Sequence, residues 1–519
     1  MLLLPTMLMT VDLGVLWLAT PDLTADLRPS SSELLWIIDI YGFLTAGTMV
    51  VMGTLGDRIG RRKLLMFGAV GFIVASLAAA YATGPGMLIG ARALLGVAGA
   101  AVLPSTLALI NHMFADPRQR ATAIAMWVTS LSVGLATGPV VGGVLLEQWW
   151  WGSVFLIGVP VMLLALVTAP ALLPEYRAPK AGRLDVVSMV LFLLGVLPLV
   201  YAVKRAAEHG MGGQVVLALV AGALFGGLFL RRQLRLADPL LDLGLFRHRA
   251  FLGALVTLLF GMTALNGVEV LVPQYLQMVA GKSPLEAGLW LLPGAAGLVA
   301  GSQLTPVFAR RTRPAHVLVA GLLVSLIGFA MAARVPGDGS GTVQASAALA
   351  VIMFGVAPIS VLGTALAVGS APAEKAGSAA ATGQTFYEIG LAMGIAVPGS
   401  VATAVYRDEV ARLTPADAPG AAVEAARDTI GGAVSAAGQL PGAVGEGLLG
   451  AARAAFTSGF HTASLVSGGF ALLTIAGVLV LLRNVPAISG GDDSEPADPS
   501  GQGAAAPGDA VPPAAASAH

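Results

Sequence analysis

Fourteen apolar runs follow one another along the chain, near residues 2–20, 34–55, 64–82, 87–112, 121–146, 153–173, 184–203, 214–230, 250–279, 285–308, 315–333, 343–369, 377–405 and 460–482. Each comes close to the roughly 20 residues that an α-helix needs to cross a hydrocarbon layer about 30 Å thick. Lipid offers no water to backbone N–H and C=O groups, so segments of this kind close their hydrogen bonds internally as helices. The predicted fold is an all-α polytopic membrane protein. Composition agrees, because only 11% of the 519 residues are charged, 56% are hydrophobic and the mean hydropathy is +0.82, whereas about a quarter of a soluble domain is charged.

Several function classes drop out at this stage. The chain has no cysteine, which excludes disulfides, thiolate metal sites and cysteine nucleophiles. Basic and acidic residues balance at 29 each, so charge gives no reason to expect a nucleic-acid partner. Gly281-Lys282-Ser283 could end a phosphate-binding loop only with glycine at 276, where Leu276 stands. The six histidines are scattered, and neither H-E-x-x-H nor G-x-S-x-G occurs. Neither an enzyme nor a bound cofactor or metal is expected, which leaves an ion gradient as the energy source. The opening "MLLLPTMLMT" lacks a basic leader and a small-residue cleavage site, so the first helix is expected to be retained.

Lys and Arg set the expected orientation. With both termini inside, 19 of the 29 basic residues fall in inner segments and nine in outer ones, and the last, Arg92, lies within a span. Lys204 and Arg205 run against this bias. Both termini are accordingly predicted to be cytoplasmic. The expected divisions are an N-terminal six-helix half over 1–173, two inserted helices with flanking loops over 174–249, and a C-terminal half over 250–483. That second half includes an outer loop, 406–456, read either as two short helices over the outer mouth or as a bare linker. The Pro-, Gly- and Ala-rich tail, 484–519, cannot bury a core and is expected to be disordered. A worn internal echo supports two halves, since Gly60-Arg61-Arg62 falls on Ala309-Arg310-Arg311 in the corresponding loop, although Asp57 has become Pro306.

Three motifs carry a resemblance. "GTLGDRIGRRK" contains Gly53, Gly56, Asp57, Arg58, Gly60, Arg61 and Arg62; its glycines permit a tight turn, and its charges suit a helix terminus or an anionic lipid surface. "GLATGPVVGG" sets Gly134, Gly138 and Gly142 four residues apart, with Pro139 and Gly143 beside them, a bare stripe on which another helix can pack closely. "GARALLGVAGAAVLPS" places Arg92 inside a span, where an arginine usually lines a cavity or finds an acid. Together these strings are similar to the signature loop, the antiporter motif and the arginine-bearing fourth helix of the major facilitator superfamily. With fourteen spans and the openings "VDLGVLWLATPDL" and "LLWIIDIYGF", the chain resembles the drug:proton antiporter-2 family, within it the quaternary-ammonium multidrug exporters of the QacA and SmvA type.

Four acids lie well inside predicted spans: Asp12, Asp39, Glu269 and Glu388. Each costs about 2.5 to 3.5 kcal/mol at mid-bilayer on lenient scales, so the group should face a polar interior. A carboxylate so placed can hold a proton or a lipophilic cation, but not both. The resemblance implies that acids at Asp12, Asp39 and Glu388 serve proton coupling and cation recognition, with Glu269 less directly matched. Trp17, Trp36, Tyr41, Trp127, Met262, Phe386 and Tyr387 are candidates for cation-π and soft packing contacts, foremost Phe386 and Tyr387 beside Glu388. The expected function is proton-coupled export of lipophilic cations by a monomer in the cell membrane, in contact with its lipids. A narrow exporter of one natural product, or a membrane scaffold or sensor that transports nothing, are the alternatives.

Overall fold

The computed structural model describes residues 1–485 except 115–116, 176, 178–184, 237–238, 240–243, 372–375 and 416–417. All but the first two residues of the tail expected to be disordered lie outside the described residues, as does part of each loop flanking the inserted helices. Among the described residues all regular structure is helical. The first six rods are α1 (Leu3–Leu27), α2 (Ser31–Ile59), α3 (Arg61–Ala80), α4 (Pro85–Met113), α5 (Pro117–Gln148) and α6 (Ser153–Leu172). Then come α7 (Val186–His209) and α8 (Gly213–Gln233). The rod α9 (Arg249–Val279) ends in a π-helical turn at Tyr275–Val279. It is followed by α10 (Pro284–Ala309), α11 (Pro314–Ala332) and α12 (Thr342–Gly369). The next, α13, starts as Ala376–Gly394 and passes through a π turn, Ile395–Gly399, into Ser400–Leu413. Two short helices, α14 (Gly420–Asp428) and α15 (Ile430–Ala437), precede the long α16 (Gly442–Leu481).

Eleven of these helices are long and apolar enough to cross a membrane, and α2, bent by 50° between Met49 and Val51, makes a twelfth. The 32-residue α5 and the apolar stretch Val186–Ala202 of α7 occupy the two remaining predicted runs. Two boundaries differ most from expectation. The last helix starts at Gly442 rather than near 460, and α13 continues to Leu413 rather than ending near 405. These stretches are too polar to register as apolar runs, yet Tyr406, Val410, Leu448, Ala452 and Ala455 are buried, and tertiary packing makes them helical. Within 406–456 the chain therefore forms two short helices rather than a bare linker.

The helices α1 to α6 pack as one bundle, and α9 to α13 with α16 as a second. The second rod of each bundle opens with the same cap. Ser30 receives the Glu33 amide while Glu33 receives the Ser30 amide in α2, and Ser283 and Glu286 repeat the arrangement in α10. Such a capping box satisfies two orphan donors at once.

The bundles meet along α5 against α10 and α2 against α13, and the glycine stripe explains the first contact. Gly134, Gly138 and Gly142 face α1: a Cβ on Gly142 would come within 2.8 Å of Val15, and one on Gly138 within 3.2 Å of the Val11 carbonyl. Gly143 faces the other bundle, where a Cβ would stand 2.6 Å from Leu285 Cα. A Cβ on Gly288 of α10 would run into the Pro139 carbonyl. The hydroxyl of Ser283 also donates to Glu147 Oε1 at 2.7 Å, and Gln277 Nε2 donates to the Leu18 carbonyl at 3.1 Å. These contacts lie toward the end carrying α14 and α15, the hairpin end. The opposite end, where Arg58, Arg61, Arg62 and Lys63 stand, is the basic end.

If this seam holds the halves together, Gly288→Val should pry them apart at the hairpin end. The cysteine-free chain gives a clean background for Glu147→Cys with Ser283→Cys, joined by a short bifunctional thiol reagent. Cross-linking should be efficient in the parent and fall severalfold with Gly288→Val. Equal yields would show that the glycine contact does not control closure.

Candidate functional site

Three of the four acids inside the spans, Asp12, Glu388 and Glu269, form a belt between the two bundles. In α4, Arg92 is wholly buried, and its Nη1 donates to Asp12 Oδ2 of α1 at 2.9 Å. Its Nε donates to the Ile37 carbonyl of α2 at 3.2 Å, and its Cζ lies 4.8 Å from the centre of the Tyr41 ring. The guanidinium therefore ties three helices of the first bundle together. Arg92 does not reach out to the interface; it neutralises one acid, and that acid is Asp12.

Tyr41 stands within electrostatic reach of Glu388 on α13 as well as of Asp12 and Arg92. Glu388 accepts a hydrogen bond from Gln384 Nε2 at 2.9 Å, a neutral amide rather than a guanidinium. Next to it, Tyr387 bonds to Ser360 and stands within reach of both Glu388 and Glu269. Glu269 is 7% exposed on α9, one turn from Asn266, whose Nδ2 donates to the Leu391 carbonyl at 2.7 Å. Three carboxyls alternate with two tyrosines, from Asp12 through Tyr41, Glu388 and Tyr387 to Glu269, and this row crosses from one bundle to the other.

Asp39 is placed differently. It is 1% exposed, and helical spacing puts it on the face of α2 that carries Trp36 and Phe43. Phe43 packs against Val200 of α7 and Ala392 and Ala396 of α13. Asp39 thus stands on the seam covered by the inserted helix. Phe386 also parts from its neighbour, since its ring lies 6.1 Å from that of Phe246 near the basic end. Phe386 and Tyr387 do not line one wall beside Glu388. Trp127 donates to Thr106 at 3.0 Å, and Met262 is fully buried beside Gly390, both inside the bundles. Tyr41 was legible as an aromatic within reach of a charge; nothing in the sequence said that the charge was internal.

The signature loop lies apart from this belt, at the basic end. Asp57 Oδ1 accepts from Arg61 Nε at 3.0 Å and Nη2 at 2.7 Å. Gly60 turns the chain at φ +112°, where a side chain is strained, and a Cβ there would strike Glu175. Glu175 receives the Arg62 amide at 3.2 Å, while Arg62 Nη1 donates to the Leu173 carbonyl at 3.0 Å. Gly56 packs against Arg61, whereas Gly53 has open space around it and Arg58 is exposed. The loop pins the start of α3 to the end of α6.

Toward the hairpin end the seam encloses a chamber of about 80 Å³, bordered by Ile38, Gly267, Val270, Gln274 and Ile395 and roofed by Thr429, Ile430 and Gly431. A drug-sized guest needs about 300–1,000 Å³, so the chamber is closed down in this arrangement. Above it lies a second hollow of about 470 Å³ between the α1–α2 corner and the two short helices. Thr24, Asp428 and Thr429 line both.

The sequence profile described as Major Facilitator Superfamily matches residues 2–395. The chain belongs to the major facilitator superfamily. It is 42% identical over 485 residues to "Multidrug efflux pump LfrA" of Mycolicibacterium smegmatis, covering 92% of this chain and 95% of that one. It is 37% identical to "Methyl viologen resistance protein SmvA" of Salmonella typhimurium, over 90% and 94% of the two chains. Among solved structures, a bacterial homologue of the human lysosomal transporter Spinster overlays with a TM-score of 0.64 at 15% identity, over 93% and 95% of the chains, a likeness of fold. This superfamily member is thus a multi-pass membrane protein related to multidrug efflux transporters.

Arg92 is the test of how the belt is held. Removing one partner of a buried ion pair leaves the other charge uncompensated, at a cost of about 3–5 kcal/mol. Arg92→Gln should lower the unfolding temperature of the purified protein markedly, and Asp12→Asn added to it should restore part of the loss. Additive losses in the double variant would mean that the two side chains are not a pair.

Proposed function

We propose that the chain is a proton-coupled antiporter that exports lipophilic, mainly cationic compounds across the cell membrane. The observation that carries this reading is the row of carboxyls crossing from one bundle to the other, with Asp12 and Glu269 buried and Glu388 half-buried between them. A carboxyl in so dry a place can hold a proton or an organic cation, and the two occupants are mutually exclusive. Arg92 already acts as an internal cation at Asp12, and the face of Tyr41 is taken by the same guanidinium. A guest entering between the bundles would compete with these contacts. Glu388, on the opposite wall, accepts from the neutral amide of Gln384.

The positive-inside rule supports a cytoplasmic basic end and cytoplasmic termini. The bundles then meet on the outer side, and rocking about the α5–α10 and α2–α13 seams would expose the acid belt alternately to the two faces. No bound cofactor is needed, since the proton gradient supplies the energy. Exchanging one proton for one monovalent cation moves no net charge and yields about 1.36 kcal/mol per unit of pH difference. Each extra proton adds about 2.3 kcal/mol per 100 mV of membrane potential. The partners in this reading are protons, lipophilic cations and surrounding lipids, and one chain contains every part of the belt, which supports a monomer.

Ethidium movement in everted vesicles tests the reading. Uptake into vesicles carrying the wild-type chain should follow an imposed pH gradient and collapse when the gradient is dissipated. Asp12→Asn, which leaves Arg92 unpaired and so should insert at a lowered level, should show no gradient-driven uptake per inserted molecule. Transport indifferent to the gradient, or undiminished in Asp12→Asn, would overturn proton coupling through this acid.

A further inference from the structure

The chamber beneath the two short helices has a composition that packing alone does not require. Asp428 is the one charged side chain among its described lining residues, which also include Tyr406, Phe456, Met278 and Gln274. An acid that shares a chamber with aromatic and thioether side chains is the chemistry that receives a lipophilic cation. Asp428 ends α14, at the point where the roof turns into α15, and it is 43% exposed. Its Oδ1 lies 3.4 Å from Arg407 Nη1, on the last segment of α13. Tyr406, next to Arg407, donates its hydroxyl to the Ala426 carbonyl of α14 at 2.6 Å. Two adjacent residues of α13 therefore hold the roof down. Gly431 rests on Thr24 and Pro21 of α1 in the other bundle, so the roof spans both halves.

We propose that this chamber is a second station for a lipophilic monovalent cation on its way out, with Asp428 as its carboxylate and Arg407 as the resident cation that the guest displaces. The proposal rests on the export of cations inferred above and adds a site that is separate from the acid belt. In the closed arrangement Arg407 occupies Asp428, and the chamber is too small for a drug. A cation arriving from the belt exchanges for Arg407 and releases one of the two ties on the roof. The guest then passes Thr24 and Thr429 into the larger hollow, whose rim carries Arg28. Like charge at that rim opposes return from outside. Burial lifts the Asp428 carboxyl above its ordinary range, with Arg407 pulling the other way and Glu424 and Arg427 contributing from α14.

The two ends of the ion pair give opposite expectations, which separates a binding role from a structural one. Binding of ethidium to the purified full-length protein is measured by fluorescence, at a pH well above the carboxylate range so that Asp428 is ionised. The wild type should bind at two sites. Asp428→Asn should weaken one of them, and Arg407→Gln should tighten the same site, each by about fivefold, as suits a partly exposed pair worth up to ~1 kcal/mol. A structural latch would be broken equally from either side, so changes in the same direction would overturn the proposal, as would no change in either variant. Asp428→Glu, which keeps the charge, should bind like the wild type and guards against misfolding of the asparagine variant. Wild-type gradient-driven ethidium uptake, measured alongside, separates the two claims: uptake with unaltered binding in both variants sinks the chamber site alone. Absence of wild-type uptake sinks the export reading, and the chamber site with it.

Discussion

Withholding water from an ionisable group is the constraint on which the rest of this structure depends. An acid or arginine inside a membrane bundle must find an opposite charge, a hydrogen bond or a watery cavity. Arg92 meets that demand with three partners on two neighbouring helices, so the fourth helix is positioned by its charge as much as by its apolar faces. The same constraint makes the belt chemically useful. In the proposed function Glu388 and Glu269, both within electrostatic reach of Tyr387, are the acids that take up a proton or a cation.

A second constraint is that of bare backbone. Lipid gives helices little hydrophobic reason to associate, so close approach of small residues supplies the packing. The stripe in α5 divides this work, with Gly134, Gly138 and Gly142 against α1 and Gly143 with Pro139 against α10. One helix therefore builds the first bundle and also forms its bearing surface against the second. A close small-residue surface of this kind suits the rocking that the proposed function requires.

Much of the fold was legible because lipid simplifies the code. Apolar length marked every crossing helix, and the four acids stood out against that background. The end of α13 and the start of α16 were misplaced because these turns are shielded by each other and by the hairpin, so polar residues there carry no hydropathy signal. The paired capping boxes at Ser30 and Ser283 were readable as S-x-x-E, and they mark the two-fold repeat more clearly than the worn arginine echo. Tyr387 belongs to the acid row, but Phe386, one residue earlier, is turned by the helix toward Phe246.

By itself the sequence determined the solvent this chain lives in, the order of its apolar helices, and which few charges had to find a place inside them. These are local properties, decided by the composition of about 20 residues at a time. Which charge meets which was decided only in three dimensions: Arg92 took Asp12, some 80 residues away, and Asp39 was sent to a different seam. The same holds for Asp428, an ordinary loop acid in the sequence, which tertiary structure sets into the roof of a chamber opposite Arg407. Pairings of this kind depend on crossing geometry between helices far apart in the chain, and no local pattern encodes it.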